Sequence, residues 1–323
     1  MSKKIGILTS GGDAPGMNAA IRAITLAGLR NGYEVVGIYD GYKGILEENF
    51  TELTAESVFG IFSKGGTILG TARLPEFKEP DIQKQAAEIL KKHGIEALCV
   101  IGGDGTYMGA QALYNHGINC IGLPGTIDND ISSTDYTIGF DTAMNTINWS
   151  MDHIRDTTLS HQRCAIVEIM GNHCPDLTLM SGIAEGADII VTPTHKLTYK
   201  QIIKKLNNLA EKQHRRFAIV LVAEKMPEVN VDDLKKMVSA MTPFEAKSEV
   251  LGRIQRGGAP SSFDRLLASS MGAYAVQQIA AGKGGIVVSW HHNHLSTLPI
   301  MEALSLPQDP HKELLEVANT LML

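Results

Sequence analysis

The sequence predicts an α/β protein built on parallel sheets. Short apolar runs that fit buried strands alternate along the chain with stretches whose apolar residues recur at helical spacing. Two of these runs, at 97–101 and 120–123, end abruptly in glycine-bearing turns that carry aspartate. With 323 residues, 44% of them hydrophobic, the chain is long enough to form two domains, each with its own core.

The elements can be placed in chain order from this alternation. Strands are predicted at 4–9, 34–39, 97–101, 120–123, 164–169, 189–192, 218–223 and 285–290. Helices are predicted at 17–30, 81–93, 142–156, 176–185, 199–212, 263–281 and 307–323. From this pattern alone, a single domain boundary falls near residue 140.

Two glycine-rich turns follow predicted strands. The first is the segment 10–16, and the second is Gly102-Gly103-Asp104-Gly105-Thr106. Such turns aim backbone N–H groups and the positive end of the next helix at an anion, although one of them alone could be just a tight connection. Because ligands of parallel sheets bind at the carboxyl ends of strands, the two turns predict one phosphate site, with Asp104 as a Mg²⁺ ligand.

The segment after the 120–123 strand presents two carboxylates and a hydroxyl, Thr126-Ile127-Asp128-Asn129-Asp130. Asp128 is the candidate base for a substrate hydroxyl. Thr126 and Asp130 would share its face in an extended chain and orient the reacting groups, whereas Asp130 could also be only a turn former. These parts suit phosphoryl transfer from a nucleotide to an alcohol.

Four motifs together resemble bacterial ATP-dependent 6-phosphofructokinases (phosphofructokinase A family). They are Gly11-Gly12-Asp13-Ala14-Pro15-Gly16-Met17-Asn18, the Gly102–Thr106 turn, Pro124 to Asp130, and Gln255-Arg256-Gly257-Gly258. The resemblance implies two doubly wound (Rossmann-like) parallel-sheet domains with interleaved chain crossings. Residues 1–139 plus 255–307 would bind ATP, and residues 140–254 plus 308–323 would bind the sugar phosphate.

The reaction implied is transfer of a phosphoryl group from ATP to the 1-hydroxyl of D-fructose 6-phosphate, the committed step of glycolysis, with Mg²⁺ as cofactor. Arg73 would bridge phosphoryl oxygens during transfer. The residues implied to bind ATP are Gly12, Tyr42, Arg73, Leu74, Gly103, Asp104, Gly105, Thr106 and Gly109.

The same resemblance implies the sugar-phosphate residues: Thr126, Ile127, Asp128, Arg163, Met170, Gly171, Asn172, Glu224, Lys247, Arg253, Ile254, Gln255 and Arg256. Arg163 and Lys247 match positions that the family lends across a subunit boundary, which implies a homo-oligomer, expected to be a tetramer, with shared active sites. Three positions depart from the family: Asn172 and Lys247 replace arginines, and Arg253 replaces histidine. These changes alter phosphate contacts.

An effector site is implied at a second place, with Arg22, Arg155, Gly186, Asp188, Arg215 and Arg216 at matching positions. Leu26 and Ala55 stand where the family has arginines. Because charge-assisted contacts carry such sites, weakened control by ADP and phosphoenolpyruvate is expected.

Two alternatives stay open. A pyrophosphate-dependent enzyme of the same family would carry an acidic residue at position 105 and lysine at position 125, whereas both are glycine here. A non-catalytic regulatory paralogue would explain the three departures, but Asp104, Asp128 and Arg73 are all retained.

Composition and net charge limit the kinds of partner that can be expected for this chain. The net charge of −6 gives no support for nucleic-acid binding, and no apolar stretch is long enough to span a membrane. Without an apolar leader and with four cysteines lacking metal-type spacing, the chain is expected in the cytoplasm with reduced thiols. The run His291-His292-Asn293-His294 is interpreted as a turn or strand end rather than a metal site.

Overall fold

The computed structural model describes residues 3–309 and 311–322, and the chain forms two compact units. Unit 1 comprises Met1–Ile127, Ile131–Thr142 and Arg256–Gln308. Unit 2 comprises Asp128–Asp130, Ala143–Gln255 and Asp309–Leu323. The chain passes between the units more than once, so a single cut near residue 140 does not describe it. The assignment of ATP to one half and of sugar phosphate to the other stays a prediction.

Strands and helices alternate along most of the chain. The strands are β1 (Lys4–Thr9), β2 (Glu34–Ile38), β3 (Phe50–Glu52), β4 (Ile95–Gly102), β5 (Asn119–Pro124), β6 (Cys164–Ile169), β7 (Ile189–Val191), β8 (Ala218–Ala223), β9 (Ala246–Val250), β10 (Ile286–His291) and β11 (His294–Pro299). The helices are α1 (Met17–Arg30), α2 (Gly41–Leu46), α3 (Pro80–Lys92), α4 (Asp104–Asn115), α5 (Phe140–His161), α6 (Asp176–Ala184), α7 (Tyr199–Gln213), α8 (Val231–Met241), α9 (Ser262–Ala280), α10 (Ile300–Ser305) and α11 (Lys312–Leu321).

Unit 1 is built on a seven-stranded sheet of order β11-β10-β5-β4-β1-β2-β3. The five inner strands run parallel, which confirms the predicted α/β class. Both edge strands are antiparallel to their neighbours. At one edge the reason is the His292-Asn293 turn: both residues have positive φ, the geometry of a two-residue hairpin. The histidine run therefore forms a strand end and a turn.

Unit 2 is built on a four-stranded parallel sheet of order β7-β8-β6-β9. Strands β6, β7 and β8 are almost fully buried, and α7 and α8 contribute apolar side chains to the same core. Because both faces of these strands are buried, their sequences are almost entirely apolar and do not alternate between apolar and polar residues.

Several elements escaped the sequence pattern. The strands β3, β9 and β11 and the helices α2, α8 and α10 were not predicted, and α11 begins at Lys312 instead of at 307. Helix α5 is longer than the predicted 142–156. Its first turn is capped by a carboxylate distant in sequence: Asp264 accepts hydrogen bonds from Gly139 N, Thr142 N and Thr142 Oγ1.

Among the described residues, no helix combines the length and the apolar character needed to span a membrane.

Candidate active site

The strand order of unit 1 reverses direction at β1, which lies between β4 and β2. Strands β5, β4 and β1 are parallel neighbours, so the turns that follow them leave the sheet at the same edge. These turns contain Gly11 and Gly12, then Gly103 to Thr106, and then Gly125. An open α/β sheet binds its ligand at such a switch point, at the carboxyl ends of the strands.

The first turn favours glycine at two places, for different reasons. Gly11 has φ of 86°, in the left-handed region. A Cβ on Gly12 would lie 2.4 Å from Arg256 Nη1, and that guanidinium donates to Asp13 O at 3.3 Å. The sequence motifs around Gly12 and Arg256, which are 244 positions apart, therefore meet in unit 1. A side chain at position 12 would require this guanidinium to move.

The second turn opens α4. A Cβ on Gly102 would collide with Thr106 Oγ1 and Ser10 O, at 2.3 and 2.4 Å. In contrast, a Cβ on Gly103 or Gly105 would meet nothing within 4 Å. The exposed backbone of this turn, at a helix N-terminus, is the geometry that receives phosphate.

Asp104, exposed in the first turn of α4, is the predicted Mg²⁺ ligand. In the described part of the chain, no group of three or more histidine, cysteine or acidic side chains could hold a metal ion by itself. One carboxylate fits Mg²⁺ nevertheless, because this ion commonly takes one or two carboxylates and completes its shell with substrate phosphates and water. The carboxylate lies in the turn that is predicted to bind phosphate, as that arrangement requires.

Tyr42, which is predicted to bind ATP, contacts the second turn through a hydrogen bond. Its hydroxyl donates to Thr106 O at 2.5 Å, and its ring stacks on Phe77 with centroids 4.3 Å apart. A Cβ on Gly109 would lie 2.5 Å from the Tyr42 ring, so glycine is required for this contact. Burial raises the pKa of Tyr42 well above its ordinary value, which keeps the hydroxyl as a donor.

Arg73 and Leu74 lie in a loop fastened to the first turn. Thr71 Oγ1 donates to Gly11 O at 2.7 Å, which brings the loop beside the glycines. The preceding segment is held by Asn18 of α1, whose side chain donates to Lys64 O and Gly65 O and accepts from Ile68 N. The Arg73 side chain is exposed, and Leu74 is half-buried.

The segment after β5 is divided between the units: Thr126 and Ile127 belong to unit 1, and Asp128 to Asp130 belong to unit 2. In unit 1, Thr137 Oγ1 donates to Thr126 O at 2.7 Å. Asp128 is only 8% exposed, and Asp130 is half-buried. Asn129, between them, has φ of 53° and donates to Asp176 Oδ2 at 2.8 Å.

In unit 2, predicted sugar residues gather at the carboxyl ends of β6, β8 and β9. Glu224 Oε1 accepts from Asn172 N at 2.8 Å and from Gly171 N at 3.3 Å. The buried Gln255 side chain accepts from Met170 N at 3.1 Å. Arg253 and Ile254 are exposed in the short 3₁₀ segment Gly252–Arg256.

Arg163 and Lys247 lie at the other end of this sheet. Arg163 precedes β6, whereas Lys247 pairs with Ala165 near the start of that strand. Both cations contact one carboxylate: Arg163 Nε is 3.1 Å from Glu245 Oε2, and Lys247 Nζ is 2.8 Å from Glu245 Oε1. These contacts lower the pKa of Glu245, Lys247 contributing the larger part. The structure of one chain therefore does not bring Arg163 and Lys247 to Glu224.

The predicted effector residues of unit 2 contact acidic partners. Arg155 donates to the Glu185 carbonyl and lies 3.4 Å from its carboxylate. Arg215 lies 2.9 Å from Asp188 Oδ1, and Asp188 Oδ2 accepts from Ile219 N. Gly186 has φ of 58°, and Arg216 is exposed. In unit 1, the Arg22 guanidinium lies 5.5 Å from the centre of the Phe62 ring.

Sequence reasoning missed two side chains near the predicted sugar residues. Glu245 could have been found, because residues two apart on a strand share a face and 245 and 247 flank the start of β9. Lys225 Nζ lies 2.5 Å from Asn172 Oδ1, so a cation stands beside the position that departs from the family. No sequence signal indicated that contact, because it joins two different loops.

Comparison with known proteins relates the chain to phosphofructokinases. A family profile described as phosphofructokinase matches residues 4–279. The chain is 50% identical to an ATP-dependent 6-phosphofructokinase of Photobacterium profundum and 51% identical to one of Vibrio campbellii, each over 99% of this chain and all of the relative.

Among solved structures, phosphofructokinase from Saccharomyces cerevisiae superposes with a TM-score of 0.88 at 33% identity, covering 99% of this chain and 47% of the yeast chain. The resemblance predicted from the four motifs is confirmed. The chain belongs to the phosphofructokinase family, among its bacterial ATP-dependent 6-phosphofructokinases.

Proposed function

We propose that this chain transfers the γ-phosphoryl group of ATP to the 1-hydroxyl of D-fructose 6-phosphate in the cytoplasm, giving ADP, D-fructose 1,6-bisphosphate and a proton. The observation that carries the proposal is the pair of glycine turns after β1 and β4, at the switch point of the larger sheet. The names of the bacterial relatives supply the nucleotide and the reaction. Pyrophosphate-dependent chemistry is disfavoured by Gly105 and Gly125.

In unit 1, the backbone N–H groups of Gly12 and of Gly103 to Thr106 receive the phosphates of ATP. Asp104 would hold Mg²⁺, which would neutralise the charge that develops on the phosphates during transfer. Gly103 and Gly105 leave the space that the phosphates need, since side chains there would project into it. Arg73 donates to the transferring group from the loop that Thr71 fastens to Gly11.

Asp128 is the base: it orients the 1-hydroxyl and accepts its proton late in a loose transition state. Its low exposure supports this role, because a carboxylate shielded from water interacts more strongly with the hydroxyl that it accepts from. Thr126 and Asp130 orient the reacting groups.

In unit 2, Glu224 accepts hydrogen bonds from sugar hydroxyls. It uses carboxylate lone pairs that the N–H groups of Gly171 and Asn172 do not occupy. Arg253 contributes to the 6-phosphate site, and Lys225 supplies a cation beside Asn172. Arg256, which belongs to unit 1, is the second arginine proposed for the 6-phosphate. Arg163 and Lys247 serve the site of another subunit, which makes the active form a homo-oligomer, in our proposal a tetramer.

Control by effectors is weak in this proposal. Arg155 and Arg215 are already paired with Glu185 and Asp188, so an anionic effector must compete with resident carboxylates. This adds to the absence of arginine at positions 26 and 55. An effector that rarely occupies its site cannot shift the equilibrium between two conformations of the protein.

The test is release of ADP from ATP and fructose 6-phosphate, followed by a coupled assay, in wild type and Asp128→Asn. The variant keeps substrate binding and loses at least ~10²-fold in kcat, the scale of a catalytic base. Asp81→Asn, on the exposed first turn of α3, is the matched control and keeps wild-type turnover. No turnover in wild type would favour the non-catalytic paralogue, and a near-normal rate in Asp128→Asn would remove Asp128 as base.

A further inference from the structure

Asp176 is a buried carboxylate that the proposed mechanism does not use. It is the first residue of α6, and 1% of its surface is exposed. Its Oδ2 accepts from Asn129 Nδ2 at 2.8 Å, and its Oδ1 lies 2.9 Å from His311 Nε2. Burial raises the pKa of Asp176, whereas the Asn129 hydrogen bond and the His311 charge act in the opposite direction. A carboxylate so placed must keep these partners, since burying it without them would be costly.

His311 reaches this carboxylate from the C-terminal part of the chain. It precedes α11, has φ of 48°, and its backbone N–H donates to Asp309 Oδ1 at 2.8 Å. Helix α11 packs on α6, so His311 and Asp176 are brought together by two helices of the same unit. The side chain of His311 is 21% exposed, compared with 2% for that of Asp176. The histidine therefore lies at the rim of the buried site and can be changed with less disturbance than the aspartate.

Asn129 connects this pair to the reacting loop. It stands between Asp128 and Asp130 and adopts the left-handed backbone conformation, which non-glycine residues rarely occupy. A side-chain hydrogen bond to a fixed, buried acceptor stabilises that conformation. Cys174 Sγ, 3.7 Å from Asn129 O, contacts the same residue on its carbonyl side. The direction in which the carboxylates of Asp128 and Asp130 leave the backbone depends on the dihedral angles of Asn129.

We propose that Asp176 and His311 are positioning residues that hold Asn129 in its left-handed conformation and thereby set the geometry of Asp128 and Asp130. The C-terminal segment is thus a part of the active-site framework. This inference rests on the proposed role of Asp128. A small misplacement of a reacting group lowers turnover steeply, whereas binding of ATP by the turns of unit 1 does not depend on Asn129.

The experiment compares His311→Phe, which keeps a ring but has no donor, with His311→Gln, whose amide N–H reaches a similar distance. We expect His311→Phe to lower kcat by about 10-fold to 10²-fold with KM for ATP unchanged, because transition-state geometry is lost and nucleotide binding is kept. His311→Gln should recover most of kcat. His294→Phe, at an exposed position in β11, is the matched control and should behave as wild type.

Hydrogen–deuterium exchange of the segment 128–130 provides a readout that needs no catalysis. It should be faster in His311→Phe than in wild type or His311→Gln, and a second variant, Asn129→Ser, should show the same acceleration. Unchanged kcat and unchanged exchange in both His311→Phe and Asn129→Ser would overturn the inference. A drop in kcat that His311→Gln shares equally, without faster exchange at 128–130, would also contradict it. If wild type releases no ADP, the proposed function fails, and the exchange comparison still decides the positioning role.

Discussion

Replacing Asp264 by asparagine tests how a buried carboxylate is tolerated at the start of α5. Asp264 is 0% exposed and accepts from Gly139 N, Thr142 N and Thr142 Oγ1. Burial raises its pKa from 3.8 to about 6, despite these three donors. Folding therefore makes the Asp264 carboxyl group harder to ionise than it is in the unfolded chain.

The sign of the pH dependence follows from linkage. Because the folded pKa lies above the unfolded one, the folded state binds the proton more tightly, and the free energy of unfolding rises as pH falls from above 6 towards 3.8. With pKa values of about 6 and 3.8, the contribution of Asp264 increases by about 1.4 kcal/mol between pH 7.5 and pH 5. This corresponds to about 2 °C in Tm, because an unfolding entropy of about 2.1 cal/mol/K per residue sums to about 0.7 kcal/mol/K over 323 residues.

The assay is the difference in Tm between wild type and Asp264→Asn, measured at matched concentration at pH 7.5, 6 and 5. The variant has no ionising group at this position, so wild type should gain about 2 °C over it as pH falls from 7.5 to 5. Asp156→Asn, at an exposed position on the same helix, is the control and should show a constant difference. A constant or opposite trend for Asp264→Asn would mean that the three hydrogen bonds outweigh burial, and it would refute the argument.

Three further predictions concern substrates and control. Glu245→Gln removes the carboxylate that pairs with Arg163 and Lys247 and competes with the substrate phosphate, so KM for fructose 6-phosphate should fall by about 3-fold. An unchanged KM in a substrate titration would contradict this. Gly105→Asp should raise KM for ATP by at least about 10-fold, because the carboxylate projects beside the phosphates, and wild type should show no comparable turnover with pyrophosphate. An effector titration at subsaturating fructose 6-phosphate should show little activation by ADP and weak inhibition by phosphoenolpyruvate at millimolar levels; strong sigmoidal inhibition below that range would show that the site is intact.

The sequence was most informative where structure is local. The turns after β1 and β4 could be predicted because each combines an apolar run, glycines and a following helical pattern within about 15 residues. The close contacts at Gly12 and Gly109 could not be predicted in that way, since they are made with Arg256 and with the Tyr42 ring. Such close approaches join distant parts of the chain and leave no periodic signal.

The parts that escaped prediction depend on tertiary contacts. The cap that Asp264 gives to α5 spans more than 120 positions, so the helix was predicted to begin at residue 142 and not at Phe140. The antiparallel edge at β11 follows from the left-handed turn at His292 and Asn293, which alternation of strands and helices does not reveal. The interpretation of the histidine run missed Asp135, whose Oδ1 lies 2.7 Å from His291 Nδ1.

The two ends of the smaller sheet bear on the proposed oligomer. Arg163 precedes β6 and Met170 follows it, so these residues are separated by about 20 Å, at roughly 3.3 Å per residue of strand. Lys247 lies at the Arg163 end, whereas Glu224 and Arg253 lie at the other. A single sugar phosphate is too short to contact both ends. If all of these side chains bind the sugar phosphate, as the family resemblance implies, Arg163 and Lys247 must bind a different substrate molecule from the one held by Glu224 of the same chain. Shared active sites are then a geometric requirement of the sheet, and an isolated subunit would lack two of the cations that its substrate needs.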